Sequence, residues 1–147
     1  MIAIRRPAPL PELAAMMAAL SPPALVAKAG AFALASRHLA LTRSWGVWEG
    51  ETCLACAGLA DDGPGRLEAW FACTPRAARR IVAIVRAARL TLDTIVETER
   101  VEIRARVAVG WEPGRRLASL LGFRSPRAAA GVEIWIKEGP CPTSSRD

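Results

Sequence analysis

Apolar and polar residues change their spacing several times along the chain, and each change marks an element. Ile2 to Arg6 is short, apolar and basic, the pattern of a strand. Pro7, Pro9 and Pro11 then impose a turn, with Pro11 suited to a first helical position. Leu13, Met16, Met17 and Leu20 follow at helical spacing. Ser21-Pro22-Pro23 stops that helix and caps a second, from about Pro22 to about Leu39, with Leu25, Phe32 and Leu39 on one side.

The spacing then shortens. Ser44 to Glu49 reads as a strand with Trp45, Val47 and Glu49 on one face, and Gly50-Glu51 as a tight hairpin turn. Thr52 to Leu59 is almost continuously apolar, as expected of a strand buried on both faces. Asp61-Asp62-Gly63-Pro64-Gly65 is a loop, and Leu67 to Cys73 the next strand. Thr74-Pro75 pairs an N-cap residue with a first-turn proline and opens a long helix to about Leu92. Ala77, Ile81, Ile84, Val85, Ala88 and Leu92 fall on one of its faces; Arg76, Arg79, Arg80, Arg86 and Arg89 fall on the other. Val101 to Val109 alternates cleanly and is a half-buried strand. A short helix runs from Pro113 through Leu117, Leu120 and Leu121, closed by Gly122. Gly131 to Lys137 is a last strand.

The order is β, α, α, β, β, β, α, β, α, β. It predicts a single-domain α/β fold over residues 1–138, with a mixed central sheet of about six strands flanked by about four helices. Residues 139–147 are expected to form a flexible tail. No internal repeat or low-complexity linker divides the chain.

Composition narrows the picture. The 147 residues suit one domain, and 52% apolar with 23% charged residues is a globular balance. The net charge is +6 and the sequence pI about 10.1, carried by arginine, since the lysines are Lys28 and Lys137 alone. Such a balance fits nucleic acid, an anionic surface or a phosphate-bearing cofactor, and fits equally a genome rich in arginine codons. No apolar run reaches the roughly 18 residues that span a bilayer, so the expected setting is cytoplasmic, with no membrane partner. Cys53 and Cys56 form a C-x-x-C inside an apolar strand. An offset of three in a regular strand sends side chains to opposite faces, so the expectation is two buried reduced thiols sharing no metal. Five tryptophans punctuate the strands. Trp45, Trp70 and Trp135 are expected in the core, Trp48 and Trp111 at a cleft or interface.

Three segments carry a resemblance. Arg115 to Phe123 is a short helix ending in Leu-Gly-Phe. Leu67 to Pro75 is a strand running into an x-Pro helix start. Ile2 to Arg6, followed by Pro11-Glu12-Leu13, has a matching N-terminal look. In this order they resemble the GCN5-related N-acetyltransferase (GNAT) superfamily over most of the chain, Ile2 to Lys137. The resemblance implies acetyl-CoA as cofactor, bound by a turn of pattern [Q/R]-x-x-G-x-[G/A] after the fourth strand, where backbone amides cradle the pyrophosphate. Aligned through Pro75, that pattern falls on Ala78, Arg79, Arg80, Ile81, Val82 and Ala83. The final Ala83 fits, while Ala78 replaces the leading Gln or Arg and Ile81 the glycine. Backbone near Cys73 and Thr74 would hold the thioester carbonyl. The family's general-acid tyrosine falls on Ala118, and the chain has no tyrosine. Glu68 is the nearest candidate for a base, with a solvent-facing ion pair as its other reading. The chain also looks like the divergent GNAT-like proteins of tailed phages, including the gp13-like group. That likeness implies a catalytically inactive virion or assembly component with another phage protein as partner, and a place in the virion. Nucleic acid is a third partner, suggested by charge alone.

Overall fold

In a computed structural model, residues 1–20 and 28–139 are described, with the backbone alone at 20, 28–34, 125, 126 and 129. The elements are β1 (Ile2–Arg5), α1 (Leu10–Leu20), α2 (Lys28–Leu41), β2 (Thr42–Glu49), β3 (Thr52–Asp61) and β4 (Arg66–Cys73). A 3₁₀ turn (Pro75–Arg80) leads into α3 (Ile81–Glu99), followed by β5 (Glu102–Ala108), α4 (Glu112–Leu120), β6 (Arg124–Ala129) and β7 (Val132–Lys137). Seven strands among the described residues form a mixed sheet in the order β1-β2-β3-β4-β5-β7-β6. The predicted α/β class holds, and the element order holds apart from one further strand, β6. The predicted cap at Ser21-Pro22-Pro23, Leu25 and the tail from Pro140 lie outside the described residues.

Two compact units share β4 and α3: Met1–Ala60 with Ala69–Ile84, and Asp61–Glu68 with the chain from Val85 onward. In the first, β1 pairs antiparallel with β2, and β2 with β3. Apolar side chains cover β3 on both faces, as its continuous hydrophobicity predicts. One cluster gathers Leu13, Met16, Ala35, Cys53, Cys56 and Ala72. Another gathers Val47, Leu54, Ala55, Ala77 and Ile84. Ser44, buried among these strands, accepts the amide of Ala8 at 3.0 Å and so anchors the proline turn before α1.

The two cysteines do not lie on opposite faces. On β2, Val47 pairs with Ala55 but Trp48 pairs with Cys53, so Leu54 is an extra residue opposite no partner. This is a β-bulge, and it adds one step to the alternation. Cys53 and Cys56 therefore stand opposite Trp48 and Gly46, two positions apart and on one face. Their Sγ atoms are 3.9 Å apart. The same shift brings Trp48 against the cysteine-bearing cluster instead of leaving it at a cleft. Trp45 lies half-buried beneath the Arg6 guanidinium.

In the second unit, β5 and β6 each pair antiparallel with β7. The sequence pattern does not predict strand β6, because Arg124-Ser-Pro-Arg has neither alternation nor apolar content. Its register slips between Arg124 and Arg127, around Pro126, and it is last in the sheet order, where a missing amide donor is tolerated. The end of α4 is a Schellman motif: the Phe123 amide reaches the Ala118 carbonyl and the Gly122 amide that of Ser119. Gly122 has φ +92°, which glycine alone adopts without strain. Lys137 is buried beside it, donating to the Leu121 carbonyl at 2.9 Å and pairing with Asp93 at 2.6 Å. A helix end that would otherwise leave carbonyls unsatisfied is thus closed by a buried cation. Arg115 ties α4 to β7 through Glu133, at 3.1 Å, and bonds Glu112 within its own helix.

Candidate functional site

The predicted cofactor turn is the segment from Cys73 to Ala83, where β4 ends and α3 begins. Thr74 is extended, with φ −88° and ψ 161°, as an N-cap must be. Its hydroxyl does not cap the helix. It crosses to β3 and donates to the Leu54 carbonyl at 3.1 Å, while the Thr74 amide donates to the same oxygen at 2.9 Å. One carbonyl, on the bulged residue, fixes the start of the turn.

The turn itself is not an open loop. Pro75–Arg80 coils as a 3₁₀ helix, and the Ala77 amide already donates to the Thr74 carbonyl at 3.0 Å. A 3₁₀ helix bonds each amide past its first residues to the carbonyl three residues back, so the amides from Ala77 to Arg80 are engaged within it and that of Arg76 is not. Pro75 supplies none. The 3₁₀ turn winds more tightly than α3. Its residues advance about 120° each instead of about 100°, yet the predicted face of α3 is kept, with Val85, Ala88 and Leu92 half-buried. Ile84 and Ala77 are buried as expected, but Ile81 is 37% and Val82 69% exposed.

The basic side chains have unequal roles. Arg80 hydrogen-bonds and ion-pairs with Glu49 of β2. That bond holds the Glu49 carboxyl below its ordinary value of 4.5, with the charges of Arg80 and Arg76 acting in the same sense against a small burial effect. Arg79 is exposed and, among the described residues, makes no ion pair. Ala78, Val82 and Ala83 are exposed, and Cys73 is half-buried, its thiol pushed up by burial.

The remaining candidates stand elsewhere. On β4, Glu68 pairs with Arg106 of β5 at 3.2 Å. Ala118, at the acid position, is buried in α4. Trp111 precedes that helix with its ring over Gly114, where a Cβ would stand 2.2 Å from a ring carbon, and remains 52% exposed. The structure therefore gathers Cys73, Thr74 and Ala78–Ala83 on one turn. Sequence reasoning missed Leu54 and Glu49, the partners of Thr74 and Arg80. Both lie far off in sequence, and only the strand register brings them in.

A sheet of this order, with a strand–turn–helix unit after β4 and a short capped helix before the last strands, defines a class of α/β acyltransferase folds. The chain has the fold of the GNAT-family acetyltransferases. An acetyltransferase of that family from Bacillus anthracis superposes with a TM-score of 0.70 at 11% identity, covering 93% of this chain and 94% of the other. An acetyltransferase from Agrobacterium tumefaciens gives 0.69 at 18% identity, covering 93% and 90%. The PaiA N-acetyltransferase of Thermoplasma acidophilum, in complex with coenzyme A, gives 0.68 at 14% identity, covering 94% and 99%. Neither protein-family models nor curated protein sequences give a match. No described helix is long and apolar enough to cross a membrane.

Proposed function

We propose that this chain is a degenerate homologue of the acyl-CoA-dependent N-acetyltransferases, binding acetyl-CoA weakly and transferring its acetyl group slowly to an amine. The observation that carries the reading is the retained strand–turn–helix unit, Cys73 to Ala83, within a fold shared with an N-acetyltransferase in complex with coenzyme A. The altered turn sets the limit. With its amides from Ala77 to Arg80 spent inside a 3₁₀ helix and Ile81 in place of glycine, the turn offers no backbone cradle for a pyrophosphate. Arg76 and Arg79 are the exposed cations of this turn left to meet phosphate by side-chain charge. With Ala118 at the acid position, transfer rests on holding the amine against the thioester carbonyl. The amine nitrogen bonds to that carbon, the C–S bond breaks, coenzyme A leaves as its thiolate, and the proton lost by the amine passes through solvent to that sulfur.

Calorimetric titration with acetyl-CoA tests this. The expected dissociation constant is about 0.1 mM or weaker, about −5 kcal/mol. Arg79→Ala should weaken it about fivefold, near 1 kcal/mol, and Arg80→Ala much less, because Glu49 already engages that guanidinium. Absence of any heat or thermal shift at millimolar ligand sinks the reading. It would leave the second one, favoured by the spent amides and the tied Arg80: a catalytically inactive GNAT-fold protein, of the phage virion or assembly type that the sequence resembles.

A further inference from the structure

The bulge in β3 creates an arrangement of sulfur that a regular strand would forbid. Cys53 and Cys56 share one face with their Sγ atoms 3.9 Å apart, 6% and 0% exposed. The same apolar cluster contains Met16, and Met17 packs against it. Two thiolates on one tetrahedral metal, each about 2.3 Å from it, stand about 3.8 Å apart. The observed spacing already matches two ligands of a single ion. A disulfide needs the sulfurs near 2.0 Å, about half the observed separation.

The donors decide which ion. Among the described residues, no three His, Cys, Asp or Glu side chains come together as a metal-binding group, which leaves zinc without its four ligands. Soft thiolate donors in an apolar cluster favour a soft ion content with two or three ligands, cuprous copper above all; the 3.9 Å spacing fits a bent pair, and a linear one, with sulfurs about 4.6 Å apart, needs the thiols to part slightly. We propose that Cys53 and Cys56 form a binding site for a soft monovalent cation of the cuprous type. Each thiol that binds as thiolate sends its proton to solvent: one proton lost leaves a neutral centre, two leave a singly negative one. The metal is neither oxidised nor reduced. The neutral centre is the form an apolar core accepts at least cost. Because the two ligands flank Leu54, whose carbonyl holds both the amide and the hydroxyl of Thr74, an ion there also stiffens the anchor of the 73–83 turn.

The test is an anaerobic titration of the reduced, full-length protein with cuprous ion against a chromophoric cuprous chelator, with X-ray absorption on the loaded protein. The expected result is one ion per chain and a first shell of sulfur alone. Cys53→Ser and Cys56→Ser should each abolish uptake, and Cys73→Ser should leave it unchanged. Circular dichroism checks that the variants fold, and the wild-type absorption spectrum stands independently of them. Hydrogen exchange at the Thr74 amide should slow on loading. Failure of the wild-type protein to compete for the ion, nitrogen or oxygen in the first shell, uptake surviving in both serine variants, or loss of both thiols to a disulfide would each overturn the proposal. None of these outcomes depends on whether acetyl-CoA binds.

Discussion

At the scale of single residues, small side chains and one hydroxyl decide the most. Gly58 lies under the Trp70 indole, and an added Cβ would sit 2.4 Å from the ring. Gly58→Ala should therefore lower stability by about 1–3 kcal/mol through overpacking, read as a fall in the chemical-denaturation midpoint. Gly122→Ala faces two obstacles, a positive φ and the Lys137 ammonium 2.6 Å from the new Cβ. Its expected cost is about 2 kcal/mol, with a lowered melting temperature. Thr74→Val keeps the shape of its side chain but loses the hydroxyl bond to Leu54. The expected loss is about 1 kcal/mol. If the turn binds acetyl-CoA, that variant should also weaken binding, because its start is no longer pinned. The glycine at the end of α4 was legible in sequence, as the Leu-Gly-Phe ending shows. The glycine beneath Trp70 was not, since its reason is a ring from the next strand.

Among elements, the periodic ones were legible and the irregular ones were not. Strand β5 shows its alternation openly, and the apolar run of β3 announces burial on both faces. Three departures escaped. The bulge at Leu54 leaves no mark in composition, because the inserted residue is as apolar as its neighbours. The 3₁₀ turn of Pro75–Arg80 looks helical by every propensity, so its tighter winding leaves no mark in the sequence. Strand β6 is polar and contains Pro126, so nothing local favours it over a loop. The ion pair joining this turn to β2 makes a prediction about pH. The folded state holds the Glu49 carboxyl below 4.5, so its contribution is present above the unfolded value and is lost as pH falls through the lower, folded one. A carboxyl NMR titration should give Glu49 a midpoint below 4.5, moving up toward that value in Arg80→Ala.

For the whole molecule, the class of fold was within reach of the sequence and the chemistry was only partly so. A mixed α/β order with a basic helix after the fourth strand constrains architecture strongly, because few topologies accept that succession. Activity depends on a handful of positions, and at those positions the sequence shows substitutions whose consequences are three-dimensional. Ile81 and Ala78 were visible as departures from the family's pattern. That the amides would be consumed, that Arg80 would be engaged and that Glu68 would pair with Arg106 became clear only with the register of the strands. The net charge of +6 has its own consequence at this scale. Attraction to a polyanionic ligand is screened by salt, so acetyl-CoA affinity should fall between about 50 mM and 500 mM ionic strength. Calorimetry at several salt concentrations measures this, and a salt-independent affinity would assign the binding to apolar contacts.

The extra residue in β3 bears on how this chain tolerates changes of length. Cys53 and every position before it on the strand already stand in step with an uninterrupted ladder on β2 once Leu54 is discounted. Removing Leu54 would close the gap without exchanging the faces of the strand, at the loss of one fully buried side chain and of the carbonyl that holds Thr74. Losing one residue at Ala57 or Leu59 would turn part of the strand inside out, exchanging its two faces. A deletion scan along β3 should therefore show the register kept in mid-strand at Leu54 alone, with the remaining loss there coming from the core and the Thr74 anchor. Where β3 is aligned with a relative whose corresponding strand is regular, the one-residue gap belongs at Leu54, in the heart of the sheet, where insertions and deletions are otherwise least expected.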